Sequence, residues 1–114
     1  LNVDTNAIKA LIYLIKQYLK GSMHENADLR VKALEKLYSL LKERNKEIIF
    51  LIERQENTQI LSEIMLSLLN GSRDPDHRVK VLCGACLGEI GAIDPAYFMT
   101  NISLANRNNN TSTN

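Results

Sequence analysis

Cys83 and Cys86 stand in a C-x-x-C spacing, a pattern shared by dithiol redox centres and zinc ligands. A redox pair belongs at the start of a helix that follows a strand. This pair falls inside an amphipathic segment, and no strand precedes it. A zinc site needs about four ligands, yet the chain has 2 Cys and 2 His in all, and His24 is remote. The spacing is therefore read as two small core residues at i and i+3 of one helix. Reduced thiols of this kind fit an intracellular compartment. His77 lies beside a predicted helix start, with Asp74, Asp76 and Arg78 nearby. A catalytic His needs a nucleophile or a carboxylate presented to it, and no reactive Ser or Cys is in view, so His77 reads as a solvated turn residue. Leu37-Tyr38-Ser39-Leu40-Leu41 matches an L-x-x-L-L interaction motif, but the same residues fall on a predicted buried stripe. Thr58-Gln59 matches a weak phosphorylation dipeptide, and Thr58 is better placed as a helix cap. There is no Gly-rich phosphate loop, kinase signature or metal-binding helix motif. No catalytic, cofactor-binding or metal-ligating residue is assigned.

Charged residues at matching positions are more informative. Arg30 and Lys32 recur as Arg78 and Lys80, each pair just after an aspartate, Asp28 or Asp76. Lined up along one edge, the four cations would form a basic ladder able to touch phosphates. The favoured reading pairs the arginines with the aspartates and so ties one repeat to the next. No aromatic residues interleave with these cations, and the net charge is small. Gly84, Gly88 and Gly91 sit inside or at the end of a helical segment. An interior glycine costs about 1 kcal/mol against alanine, which predicts close approach of a neighbouring helix. The contact residues expected between repeats, or with a partner, are Asp28, Arg30, Asp76, Arg78, Gly88 and Gly91.

The elements that position them are helical. Apolar residues recur at spacings of three and four, and no segment alternates as a strand would. Five helices are predicted: Thr5 to Lys20, Ala27 to Arg44, Lys46 to Arg54, one starting near Asn57 or Thr58, and Asp76 to Ile90. The first should turn Ile8, Leu11, Ile12, Ile15 and Leu19 inward, and the second Val31, Leu34, Leu37, Tyr38 and Leu41. The run Ile48-Ile49-Phe50-Leu51-Ile52 is apolar on every side and should be deeply buried. The fourth carries Ile60, Leu61, Ile64, Met65, Leu68 and Leu69. In the fifth, Val79, Leu82, Cys83, Cys86, Leu87 and Ile90 form the stripe, with Gly91 and Asp94-Pro95 as the stop.

Asp28-Leu29-Arg30-Val31-Lys32-Ala33-Leu34 aligns with Asp76-His77-Arg78-Val79-Lys80-Val81-Leu82, which gives a period of 48 (28 to 76). A Gly-Ser pair, Gly21-Ser22 or Gly71-Ser72, ends the helix before each copy. A period in the forties with two helices per unit is that of helical solenoids of the HEAT and armadillo kind. The fold class is thus all-α: a HEAT-like solenoid fragment of about two hairpins over residues 1–104, with neighbouring helices antiparallel. A further helix is expected from Ala96 to Leu104. The Asn-rich tail, 105–114, is expected to be disordered.

Composition narrows the function classes. The chain has 114 residues, 45% hydrophobic and 5% aromatic, with a net charge of +1. Near-neutrality gives no global attraction to nucleic acid or anionic membrane. No apolar run approaches the roughly 20 residues that span a bilayer, and no signal peptide is recognisable at Leu1-Asn2-Val3-Asp4. The absent initiator Met, with repeats from the first residue, leads to the expectation of a piece of a longer polypeptide. Asn101, Asn109 and Asn110 head Asn-X-Ser/Thr sequons that would matter only on secretion. Apolar ends are expected wherever a solenoid is cut, so self-association in isolation would follow.

Leu82-Cys83-Gly84-Ala85-Cys86-Leu87-Gly88-Glu89-Ile90-Gly91-Ala92-Ile93-Asp94-Pro95 resembles the UME domain of ATR-type DNA-damage checkpoint kinases. These are very large members of the phosphatidylinositol-3-kinase-related kinase family. Ala85 stands where the family string has Glu, and Ile90 where it has Leu. The resemblance covers roughly Asn6 to Asp94. It implies a protein-binding or architectural segment of a nuclear serine/threonine kinase whose catalytic residues lie in a separate domain. None of those residues has a counterpart here. The implied partners are the rest of the parent polypeptide or a regulatory subunit, with no cofactor and no membrane. Nucleic acid at a basic repeat edge of an unrelated scaffold is the weaker alternative.

Overall fold

The computed structural model describes residues 4–54 and 58–93, together with 95, 96, 99, 100 and 103. Five helices follow in order: α1 (Thr5–Gly21), α2 (Ala27–Glu43), α3 (Asn45–Glu53), α4 (Thr58–Gly71) and α5 (His77–Ile93). Among the described residues there are no strands, and no helix is long and apolar enough to cross a membrane. α1 with α2, and α4 with α5, form antiparallel hairpins joined by short turns. The hairpins stack so that α1 lies beside α4 and α2 beside α5, the latter being the most extensive contact. α3 bridges α2 and α4.

α1, α2 and α5 begin where a side chain satisfies a free N–H group, whereas α3 has no side-chain cap. Asp4 Oδ1 accepts from the Asn6 N–H at 3.2 Å to start α1. Asn26 Oδ1 accepts from the Asp28 N–H at 2.8 Å to start α2, and Asp76 Oδ1 from the Arg78 N–H at 2.8 Å to start α5. The two hairpin turns repeat bond for bond. Ser22 Oγ donates to the Leu19 carbonyl and Ser72 Oγ to the Leu69 carbonyl, both at 2.6 Å. His24 Nδ1 accepts from the Asn26 N–H at 3.0 Å, and Asp74 Oδ1 from the Asp76 N–H at 2.8 Å.

These matches correct the expected period. The structural repeat is 50 residues, the separation of Asp28 and Arg78, and not 48. Asp76 caps α5, whereas Asp28 already lies inside the first turn of α2. The shared Asp-x-Arg-Val-Lys word has slid by two residues, because the cap and the buried face set helix phase, and sequence identity does not. The close approach inside each hairpin obeys the same register. A Cβ on Gly21 would meet Ala33 Cβ at 2.8 Å, and a Cβ on Gly71 would overlap Cys83 Sγ. Here glycine lets the two helices of a hairpin close.

The core is aliphatic, with Leu11, Ile15, Leu34, Leu37, Leu41, Ile64, Met65, Leu68 and Val79 fully buried, and no buried polar side chain among the described residues. Ala33 and Leu40 join it, while Ile12, Val31, Tyr38, Leu82 and Leu87 are only partly buried. α3 is not buried all round: Ile48 and Leu51 face the core, but Ile49 is exposed and Phe50 half-buried. A helix against one neighbouring layer hides one stripe, and the Arg54 guanidinium lies 5.2 Å from the Phe50 ring centre. α5 does not stop at Gly91 but continues to Ile93. A glycine ends a helix by turning left-handed, and no described glycine has positive φ. Asp94 and the tail from Ala105 lie outside the described residues, as do Asn57 and the Thr58 side chain. Of the helix expected from Ala96, residues 96, 99, 100 and 103 are described and helical.

Candidate inter-repeat contact site

The turns that cap α2 and α5 lie side by side because their hairpins stack in register. Two arginines reach across this seam. Arg30 Nη2 donates to Asp74 Oδ1 at 3.0 Å, and its Nε lies 3.0 Å from Asp74 Oδ2. Arg30 Nη1 also donates to the His24 and Glu25 carbonyls, both at 2.9 Å. One guanidinium thus holds its own turn and the turn of the next hairpin. The Arg30 and Asp74 side chains are 14% and 13% exposed, so water screens this pair weakly.

Arg78 makes the reciprocal contact. Its Nη2 donates to Asp28 Oδ1 across the seam at 2.9 Å, and to Asp76 Oδ2 at 2.9 Å. Nε donates to Asp76 Oδ1 at 3.2 Å. Arg78 and Asp28 are 54% and 78% exposed, so this is a rim contact of small worth. Hydrogen bonds from Arg78, opposed by slight desolvation and helped by backbone N–H donors, bring the Asp76 carboxyl down to about 2. Hydrogen bonds from Asp76 and then Asp28 raise the Arg78 guanidinium. For Asp74, desolvation favours the neutral acid. The Asp76 N–H and the Arg30 guanidinium outweigh it and leave the carboxyl below its usual range.

Of the six expected contact residues, Asp28, Arg30, Asp76 and Arg78 therefore converge on one seam. Asp74, absent from that set, is the anion Arg30 holds. Its signal was present in the sequence: the two Gly-Ser pairs are already 50 apart (21 to 71), and that register lays Asp74 beside the turn that Arg30 clamps. The ladder of four cations is not free. Arg30 and Arg78 are engaged by carboxylates, while Lys32 and Lys80 are exposed. Gly88 corrects another expectation. A Cβ built there, or on Gly84, meets nothing within 4 Å, since both face outward on α5. Gly91 is half-buried within the helix.

A cleft of about 450 Å³ opens over the seam, lined by His24, Arg30, Leu34, Asn70, Asp74 and Cys83 among others. Arg30 and Asp74 are ion-paired within it, although Arg30 Nε, 3.0 Å from Asp74 Oδ2, makes no well-aligned hydrogen bond. Cys83 and Cys86 are free and buried at 1% and 0% exposure. Burial, then the Asp74 charge, pushes the Cys83 thiol up to about 11. Burial, then Cys83 and Glu89, pushes Cys86 up to about 12. A nucleophilic thiol is shifted the other way. Cys86 Sγ lies 3.9 Å from the Leu34 carbonyl, packed at the α2–α5 interface. Among the described residues no three His, Cys, Asp or Glu are grouped to hold a metal ion. His77 is exposed, and Leu37, Leu40 and Leu41 of the L-x-x-L-L stretch are core residues.

The site is thus two stacked hairpins cross-tied at their turns. The chain is similar to plant ATR kinases. It is 36% identical over 100 residues, 82% of its length, to the serine/threonine-protein kinase ATR of Arabidopsis thaliana. It is 32% identical over 91 residues, 74% of its length, to the ATR kinases of Oryza sativa subspecies indica and japonica. It spans only 4% of the Arabidopsis ATR and 3% of each rice ATR. No protein-family model matches the chain, and no solved structure matches it.

Proposed function

We propose that this chain is a UME-like stretch of the HEAT-repeat region of an ATR-type kinase. In this reading it performs no chemistry. It carries load within a large nuclear serine/threonine kinase of the DNA-damage and replication checkpoint, and presents its repeat edges to the rest of that polypeptide or to a regulatory subunit. The similarity to the Arabidopsis ATR over 82% of the chain carries the proposal. The 50-residue hairpin repeat, its cross-tied seam and the Leu82 to Pro95 string support it. The nucleic-acid alternative has less support, because two of its four cations are held by Asp28, Asp74 and Asp76.

The test is a segment exchange. Residues 5–93 replace the matching stretch of Arabidopsis ATR, and the chimera is assayed for assembly and for checkpoint signalling under replication stress. A chimera that assembles and signals supports the assignment. One that folds in isolation yet fails to assemble removes it.

A further inference from the structure

We infer that the outer face of α1 and α4 docks an acidic amphipathic helix of a partner protein. The inference rests on the scaffold reading and gives that scaffold a partner chemistry. Lys9, Tyr13, Lys16 and Lys20 follow each other at spacings of four, three and four, so they lie in one row along α1. All four are exposed, and Tyr13 is 62% exposed. α1 contains no acidic residue, and none of the three lysines has an ion pair or hydrogen bond among the described residues. Lys16 and Lys20 repel at i and i+4, which disfavours the free helix slightly.

Repeat architecture does not require this row. In the 50-residue register its counterparts on α4 are Gln59, Glu63, Leu66 and Asn70, with no cation among them. α1 packs beside α4, and Leu66, 59% exposed, is the α4 counterpart of Lys16 in this register. The combined surface holds three cations without an ion pair among the described residues, two anchors, Tyr13 and Leu66, and one carboxylate, Glu63. Tyr13 among the lysines could stack a base, but the aliphatic Leu66 and the Glu63 carboxylate on the adjoining helix give a phosphate backbone nothing to grip. A helix with acidic residues flanking an apolar stripe matches both the charge and the anchors.

The test is an NMR titration of the 114-residue chain with a helical peptide of roughly 18 residues, Leu on one face and Glu on its flanks. Amide shifts should centre on Lys9, Tyr13, Lys16, Lys20 and Leu66, and binding should weaken as salt rises. Combined Lys9→Glu, Lys16→Glu and Lys20→Glu should weaken it about tenfold or more, as should Tyr13→Ala with Leu66→Ala. These residues are exposed, so melting should not change; if the charge reversal misfolds, Lys→Gln at the same positions takes its place. No shifts, shifts elsewhere, or affinity unmoved by the variants would overturn the proposal. Tighter binding of a DNA duplex, lost in the same variants, would also overturn it in favour of phosphate. None of these readouts involves kinase assembly, so failure of the segment exchange is separable from failure here.

Discussion

Arg78 Nη2 lies 2.9 Å from Asp28 Oδ1, and the two residues are 50 apart, one structural repeat. Equivalent positions of stacked hairpins lie side by side, so opposite charge at equivalent positions becomes a bond across the seam. Arg30 and Asp74 run the other diagonal at 3.0 Å. The two ties look alike in sequence and differ in their exposure to water.

That difference ranks two substitutions. Arg30→Ala removes the counter-charge of Asp74, which keeps only the Asp76 N–H, and the donor to two turn carbonyls, and should destabilise the chain by about 1–3 kcal/mol. Arg78→Ala acts at an exposed rim and should cost clearly less. Urea unfolding of both variants measures the order; equal effects, or a larger one for Arg78, would show that burial does not govern the seam.

Acid should loosen the same seam. Asp74 and Asp76 both have folded pKa values below the ordinary carboxylate range, Asp76 at about 2. A depressed folded pKa gives stability that is present above the unfolded value, near 4, and is lost as pH falls toward the folded one. Denaturation midpoints should therefore decline between about pH 4 and pH 2, and Asp76→Asn should flatten that decline. An unaltered acid profile in Asp76→Asn would count against the coupling.

The glycines should respond with opposite signs. Gly71→Ala forces a methyl group onto the Cys83 thiol and should destabilise. Gly88→Ala meets open space and should stabilise the chain by up to about 1 kcal/mol through helix propensity. Thermal melts of the two variants, run against the parent, read out the pair.

Cys83 and Cys86 should be slow to alkylate. Their thiols are buried and pushed up to about 11 and about 12, so thiolate is scarce at neutral pH. Labelling should follow unfolding and accelerate sharply in urea. Fast labelling of the native chain would mean that α5 does not pack as described.

Helix existence, hairpin order and most of the buried faces were legible because three-and-four spacing is a strong signal when hairpins are short. Leu11, Ile15, Leu34, Leu37 and Leu41 could be placed inside from spacing alone. The phase between repeats was harder to read. The recurring Asp-x-Arg-Val-Lys word suggested 48, whereas capping by Asn26 and Asp76 sets 50, and only the latter brings Asp74 to Arg30. Interior glycines misled for a related reason. Propensity says that Gly88 needs an explanation, but not on which side of the helix it lies. Ile49 and Phe50 failed because a run apolar on all sides does not reveal how many neighbours it has.

The swap of charge at the seam also makes the hairpins non-interchangeable. A copy of the first hairpin stacked on itself would set Asp28 against Asp28, and a copy of the second would set Arg78 against Arg78. Only unlike hairpins join opposite signs at this position, so the pair disfavours stacking a hairpin on its own copy, by the small amount an exposed rim contact carries.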